Sequence, residues 1–107
     1  MPAGLVVATV SLIVLALAHS ALGERVLIGP LLAGPLPPLR VPARFAAAVL
    51  RFAWHLTSVA WLGLAAALAY APAIAPLVAA TLAVSGVITA VASRGAHFAW
   101  AVFLAGA

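Results

Sequence analysis

Residues 3–22, AGLVVATVSLIVLALAHSAL, contain no charged side chain. As a helix of about 20 residues rising ~1.5 Å each, the stretch is roughly 30 Å long, the depth of a bilayer's hydrocarbon core. Gly23 follows where a helix C-terminus often takes a residue without a Cβ, so the pattern predicts a first helix over 3–22. Ala16-Leu17-Ala18 imitates the small-x-small site of a cleaved leader. No Lys or Arg precedes the run and Arg25 follows it, so a retained helix is expected.

Outward from this helix, 23–42 reads as a proline-rich loop. Pro30, Pro35, Pro37, Pro38 and Pro42 each lack the N–H that a continuous helix needs. Glu24 to Leu32 is expected as a short amphipathic turn at headgroup level, and Pro42 as the first residue of the next helix. That second helix covers 43–71 and exceeds the membrane core, so its Arg44–Arg51 end should project into the interface or the helix should tilt. Pro72 and Pro76 mark a tight turn before a third helix over 73–93. The last run, 96–107, is about 12 residues or ~18 Å of helix, too short to span alone. The expected fold is an all-α integral membrane protein, a single transmembrane domain over 1–107. It is a small bundle of four transmembrane helices, the last one short.

Composition supports this. Hydrophobic residues make up 68% and charged ones 6%, against about 25% charged in a soluble domain. With a mean hydropathy of +1.34, too little polar surface exists to face water, and the lipid bilayer is the expected partner. The absence of cysteine excludes disulfides and thiolate metal sites. The net charge of +4 comes from arginines scattered between apolar runs, without a basic stripe interleaved with exposed aromatics, so no nucleic acid is expected. With four crossings, Arg25, Arg40, Arg44, Arg51 and Arg94 all fall on one side. The positive-inside rule then puts the N-terminus outside and the 23–42 loop in the cytoplasm, across the inner membrane if the source is bacterial.

In this topology His19, His55 and His97 share one layer of the inner leaflet, where ionisable side chains are costly and usually face a bundle interior. Two or three imidazoles, with Glu24, would make a transition-metal site, and two from different helices would ligate a haem b iron. Simple hydrogen bonding near the headgroups is the third use. No His-x3-His or His-Glu-x2-His pairing lies within one helix, so any convergence needs tertiary contacts.

Glu24, the one acidic residue, is expected to pair with Arg25, Arg40 or Arg44 and pin the loop. Its alternative role is proton acceptor beside His19. Trp54, Trp100 and Tyr70 suit an interfacial belt, whereas the deeper Trp61 needs an acceptor for its indole N–H, with Thr57 or Ser58 in reach. His55, Ser58 and Leu62 share a face. Thr81, Ser85, Thr89 and Ser93 recur every fourth residue, a stripe that reads as a packing seam or as the wall of a hydrated path. Gly63/Ala67, Gly86/Ala90 and Gly95/Ala99 permit close helix approach. Arg51-Phe52-Ala53-Trp54-His55 and Arg94-Gly95-Ala96-His97-Phe98-Ala99-Trp100 repeat a basic–His–Trp theme.

No phosphate loop, nucleophile elbow or carboxylate pair is present, and His19 and Ser20 are adjacent and cannot stack on one helix face, so hydrolase and nucleotide-driven chemistry have no support. An enzyme, for which only the histidines and Glu24 could act as acid or base, is the third reading. The leading reading is a non-catalytic accessory subunit of a membrane complex, or a homo-oligomer, with the histidine layer as its ligand site. The alternative is a small oligomeric transporter or channel using the Ser/Thr stripe with Glu24 and His19.

Overall fold

A computed structural model describes residues 2–97 and 99–107; the Phe98 of the second basic–His–Trp segment lies outside them. The chain is 84% helix, and no strand occurs among the described residues. Three helices are long and apolar enough to cross a membrane: Ala3–Ala33, Ala43–Tyr70 and Pro72–Ala92.

The first helix does not stop at Gly23. Gly23 has helical torsions (φ −59°, ψ −43°), and α1 continues as one rod over Ala3–Ala33. The continuation is a π turn over Glu24–Ile28, whose widened ring is closed by the Gly29 N–H on the Glu24 carbonyl. This turn explains how Pro30 is accommodated. A proline inside a regular α-helix collides with the carbonyl four residues back and cannot donate, whereas one wide turn moves that carbonyl row aside. Gly29 makes the turn possible, because a Cβ there would lie 2.7 Å from the Glu24 carbonyl oxygen. The helix ends only where Gly34 turns extended (φ −95°, ψ 174°), and Pro35, Pro37 and Pro38 keep the connection non-helical.

Helix α2, Ala43–Tyr70, starts one residue after the expected proline, with the Pro42 carbonyl accepting from the Ala46 N–H at 3.0 Å. A 3-10 turn at Pro72–Ile74 leads into α3, Ala75–Ala92. Beyond α3, the Gly95 N–H reaches the Ala90 carbonyl at 2.8 Å and the Arg94 N–H the Val91 carbonyl at 3.2 Å. This is a Schellman closure, with Arg94 in the left-handed region (φ +52°) where glycine is usual, followed by Gly95 at φ +78°. Helix α4 is Ala99–Gly106, 8 residues, shorter than the 96–107 expected.

Around the bundle the order is α2–α1–α4–α3: α1 packs on α2 and α4, and α3 packs mainly on α4 and only lightly on α2. Gly86 of α3 lets Phe103 and Leu104 approach closely, and Gly106 seats against Ser11 of α1 and Leu82 of α3. Helix α4 therefore runs back along α3 and reaches its middle. Gly63, by contrast, faces open space, so its pair with Ala67 is no packing motif within the chain. The apolar core joins Leu12 and Leu15 of α1, Ala65 and Leu68 of α2, Val78 and Leu82 of α3, and Phe103 of α4. Every one of these lies away from the arginine-bearing ends. The other end of the α1–α2 seam is held by polar groups.

Gly29→Ala should lower thermal stability in detergent by about 1–3 kcal/mol, because a backbone carbonyl cannot step aside as a side chain can. Gly63→Ala, with nothing within 4 Å, should leave the melting curve unchanged or slightly raised.

Candidate functional site

Ser20 and Glu24 sit four residues apart on α1, and Arg51, His55 and Ser58 at offsets of zero, four and seven on α2. Helical geometry makes each set a stripe, and antiparallel packing of α1 on α2 sets the stripes face to face. The result is a continuous chain of hydrogen bonds. The Arg51 guanidinium grips Glu24 (Nη2–Oε1 2.9 Å, Nε–Oε1 3.1 Å). The other carboxylate oxygen, Oε2, meets His55 Nε2 at 3.0 Å. His55 Nδ1 lies 2.9 Å from Ser20 Oγ, and Ser20 Oγ lies 2.8 Å from the buried Ser58 Oγ.

Arg51, rather than Arg25, Arg40 or Arg44, is thus the partner of Glu24. Arg25 follows Glu24 on the same helix and so projects from a different face, Arg40 lies in the connection, and Arg44 stands two turns before Arg51 on α2. The continued helix instead carries Glu24 inward, against α2, where Arg51 is one turn from His55.

The two hydroxyls give this chain a direction that can reverse. With Ser20 donating to Ser58, His55 Nδ1 must donate to Ser20 while Nε2–H faces the carboxylate, which makes the ring an imidazolium. With His55 neutral, Ser20 donates to Nδ1 and Ser58 to Ser20. The two states differ by one proton, which leaves His55 Nδ1 on going to the neutral ring, and by the orientation of the two hydroxyl hydrogens.

One residue away on α1, His19 faces a different neighbourhood. Its ring stacks on Trp54 (centroids 4.2 Å, interplanar angle 8°) and meets Trp61 edge-on at 5.0 Å. The pairing is reciprocal: Trp54 Nε1–H donates to the His19 carbonyl at 2.9 Å, and His19 Nε2 donates to the Trp54 carbonyl at 3.1 Å. Gly23 makes room for this, since any Cβ there would overlap the Trp54 indole. Trp54 is therefore an interhelical clasp. Trp61 packs edge-on against Phe103 at 5.4 Å, and among the described residues no hydrogen bond joins it to Thr57 or Ser58.

The three histidines do not form one site: His55 is bonded to Glu24 and Ser20 across the α1–α2 seam, whereas His19 and His97 both line a groove beside α1. His19 and His55 occupy opposite sides of the α1–α2 seam, and His97 is exposed in the α3–α4 connection, with Nδ1 accepting from the Ala99 N–H at 3.2 Å. Among the described residues, no group of three or more His, Cys, Asp or Glu side chains could hold a metal ion. His55 and Glu24 are bonded to each other, and His19 is turned into its stack on Trp54. On α3, three hydroxyls of the stripe bond their own helix: Thr81 to the Leu77 carbonyl (2.9 Å), Thr89 to Ser85 (2.7 Å) and Ser93 to Thr89 (2.6 Å).

Ser20, His55 and Glu24 follow one another as a nucleophile, a base and its orienting carboxylate would. An acyl-transfer site also needs donors aimed at a developing oxyanion. Ser20 lies within an unbroken helix, so the backbone N–H groups around it are spent on helical bonds. The arrangement is suited to holding two helices together and shifting protons along a short row.

No family model, curated protein or solved structure matches this chain.

Gly23→Ala should displace the Trp54 indole, lose about 1–3 kcal/mol of stability and shift the tryptophan emission spectrum. Ser58→Ala removes only the end of the row and should cost about 0.6 kcal/mol, the mean for an interhelical side-chain bond in a membrane bundle.

Proposed function

We propose that this chain is a small polytopic membrane protein acting as a non-catalytic accessory subunit, its α1–α2 seam fastened by the Arg51–Glu24–His55–Ser20–Ser58 row. One observation carries this reading. The side chains of the row are engaged with each other across the two helices. Polar groups carried into an apolar bundle stabilise it when they bond across helices.

Three full crossings and a short α4 that enters beside α3 complete the proposed membrane arrangement. The arginine-bearing ends face the cytoplasm and the Pro72–Ile74 turn faces outward. Large apolar side chains face outward on α2 (Phe45, Phe52, Val59) and on α3 (Leu77, Ile88, Val91). Lipid and the neighbouring subunits of a complex, or further copies of the chain, would cover them. The transporter alternative has weaker support, because three of the four stripe hydroxyls, Thr81, Thr89 and Ser93, bond carbonyls of their own helix.

Extraction into native nanodiscs followed by native mass spectrometry should find the chain in a discrete assembly of fixed stoichiometry; a uniform monomer would overturn the accessory reading. A fluorophosphonate should leave Ser20 unlabelled, and stoichiometric labelling there would make the chain a serine hydrolase. The native chain has no cysteine, so single-cysteine variants report topology directly. In intact cells a membrane-impermeant maleimide should label Ala73→Cys and spare Pro37→Cys until lysis. The reverse pattern would invert the proposed orientation.

A further inference from the structure

Beside the polar row, on the other side of α1, a groove of about 380 Å³ opens between α1, α2 and α4. That volume lies within the range of small-molecule sites. Its walls are apolar: Val14 and Leu22 of α1 and the indoles of Trp54 and Trp61, with two polar side chains, His19 and His97.

The hydrogen bonds already made set what each imidazole presents. A backbone carbonyl can only accept, so the His19 Nε2 that meets the Trp54 carbonyl carries a hydrogen. In the neutral ring, Nδ1 is then a bare acceptor. It takes part in no hydrogen bond among the described residues. It is not sealed either, because the one sealed, unpartnered side-chain polar atom among them is Thr9 Oγ1. His97 has the opposite tautomer: its Nδ1 accepts from the Ala99 N–H, so the neutral ring offers Nε2–H as a donor. Both rings line the groove, so in their neutral forms they bring one free acceptor nitrogen, His19 Nδ1, and one free donor, His97 Nε2–H, to an otherwise apolar lining.

We propose that this groove binds an amphiphile with a hydroxyl head and a long apolar tail. The hydroxyl donates to His19 Nδ1 and can accept from His97 Nε2–H, and the tail lies along Val14 and Trp61 toward the bundle's middle. An ether or ester head cannot satisfy His19, because it has no hydrogen to give. An ionised carboxylate fails for the same reason. This site is separate from the Ser20–His55–Glu24 row and does not depend on the accessory role.

The test uses the full chain with Trp100→Phe, which leaves Trp54 and Trp61 as the indole reporters, both in the groove wall. Quenching is measured with a dibrominated long-chain alcohol, its methyl ether, and a dibrominated phosphatidylcholine. The alcohol should quench saturably, at a concentration about three- to tenfold below the ether, the worth of one hydrogen bond. His19→Phe should erase that difference. Equal quenching by alcohol and ether in the unsubstituted groove would overturn the proposal. So would phosphatidylcholine matching the alcohol at equal mole fraction, since the groove would then take bulk acyl chains. The alcohol–ether comparison needs no change at His19, so it decides the matter even if His19→Phe fails to fold.

Discussion

A polar side chain carried into an apolar helical bundle has few partners, and at the α1–α2 seam the partners are one another. Arg51, Glu24, His55, Ser20 and Ser58 form one row of bonds, and His19 and Trp54 exchange a second, reciprocal pair. Between helices whose faces are otherwise apolar, these directional bonds set which faces meet and in what register. The apolar core at the opposite end would tolerate a slide of one helix along the other. The paired stripes would not, because a shift of one turn would separate the carboxylate from both the guanidinium and the imidazole.

The seam depends in turn on two glycines that act in different ways. Gly23 is a cradle: the missing Cβ admits the Trp54 indole and with it both His19–Trp54 bonds. Gly29 is a backbone device, closing the wide turn that lets the helix pass Pro30 and keeps Glu24 in line with the rest of α1. Single π turns inside α-helices are frequent at functional sites, and this one begins at the only acidic side chain in the sequence.

Much of this was legible in the residues, and the failures have identifiable causes. The three long helices follow from uninterrupted apolar runs, because length and hydropathy are local properties. The first helix runs about ten residues past the end that its residues predict. Gly23 and Pro30 usually terminate helices, and nothing local announces that a π turn absorbs the second while a distant indole needs the first. The ion pair was misassigned because Arg25, Arg40 and Arg44 are nearer to Glu24 in sequence, yet the spacing Ser20–Glu24 against Arg51–His55–Ser58 already held two complementary stripes. Reading those offsets together would have found the row.

The sequence by itself determined an all-helical chain with three apolar rods, basic residues gathered at one end, and a thin layer of polar side chains near that end. These are one-dimensional facts, set by composition and by periodicity along each helix. Only the tertiary structure decided what the layer does. Depth along an axis placed the three histidines together, but rotation about each axis turned His55 to Glu24 and Ser20 and left His19, stacked on Trp54, and the exposed His97 on a separate groove. Rotation and register arise from contacts between residues some 30 positions apart, such as the 35 that separate His19 from Trp54 and Ser20 from His55. No local pattern carries that information, because it resides in how one face fits another.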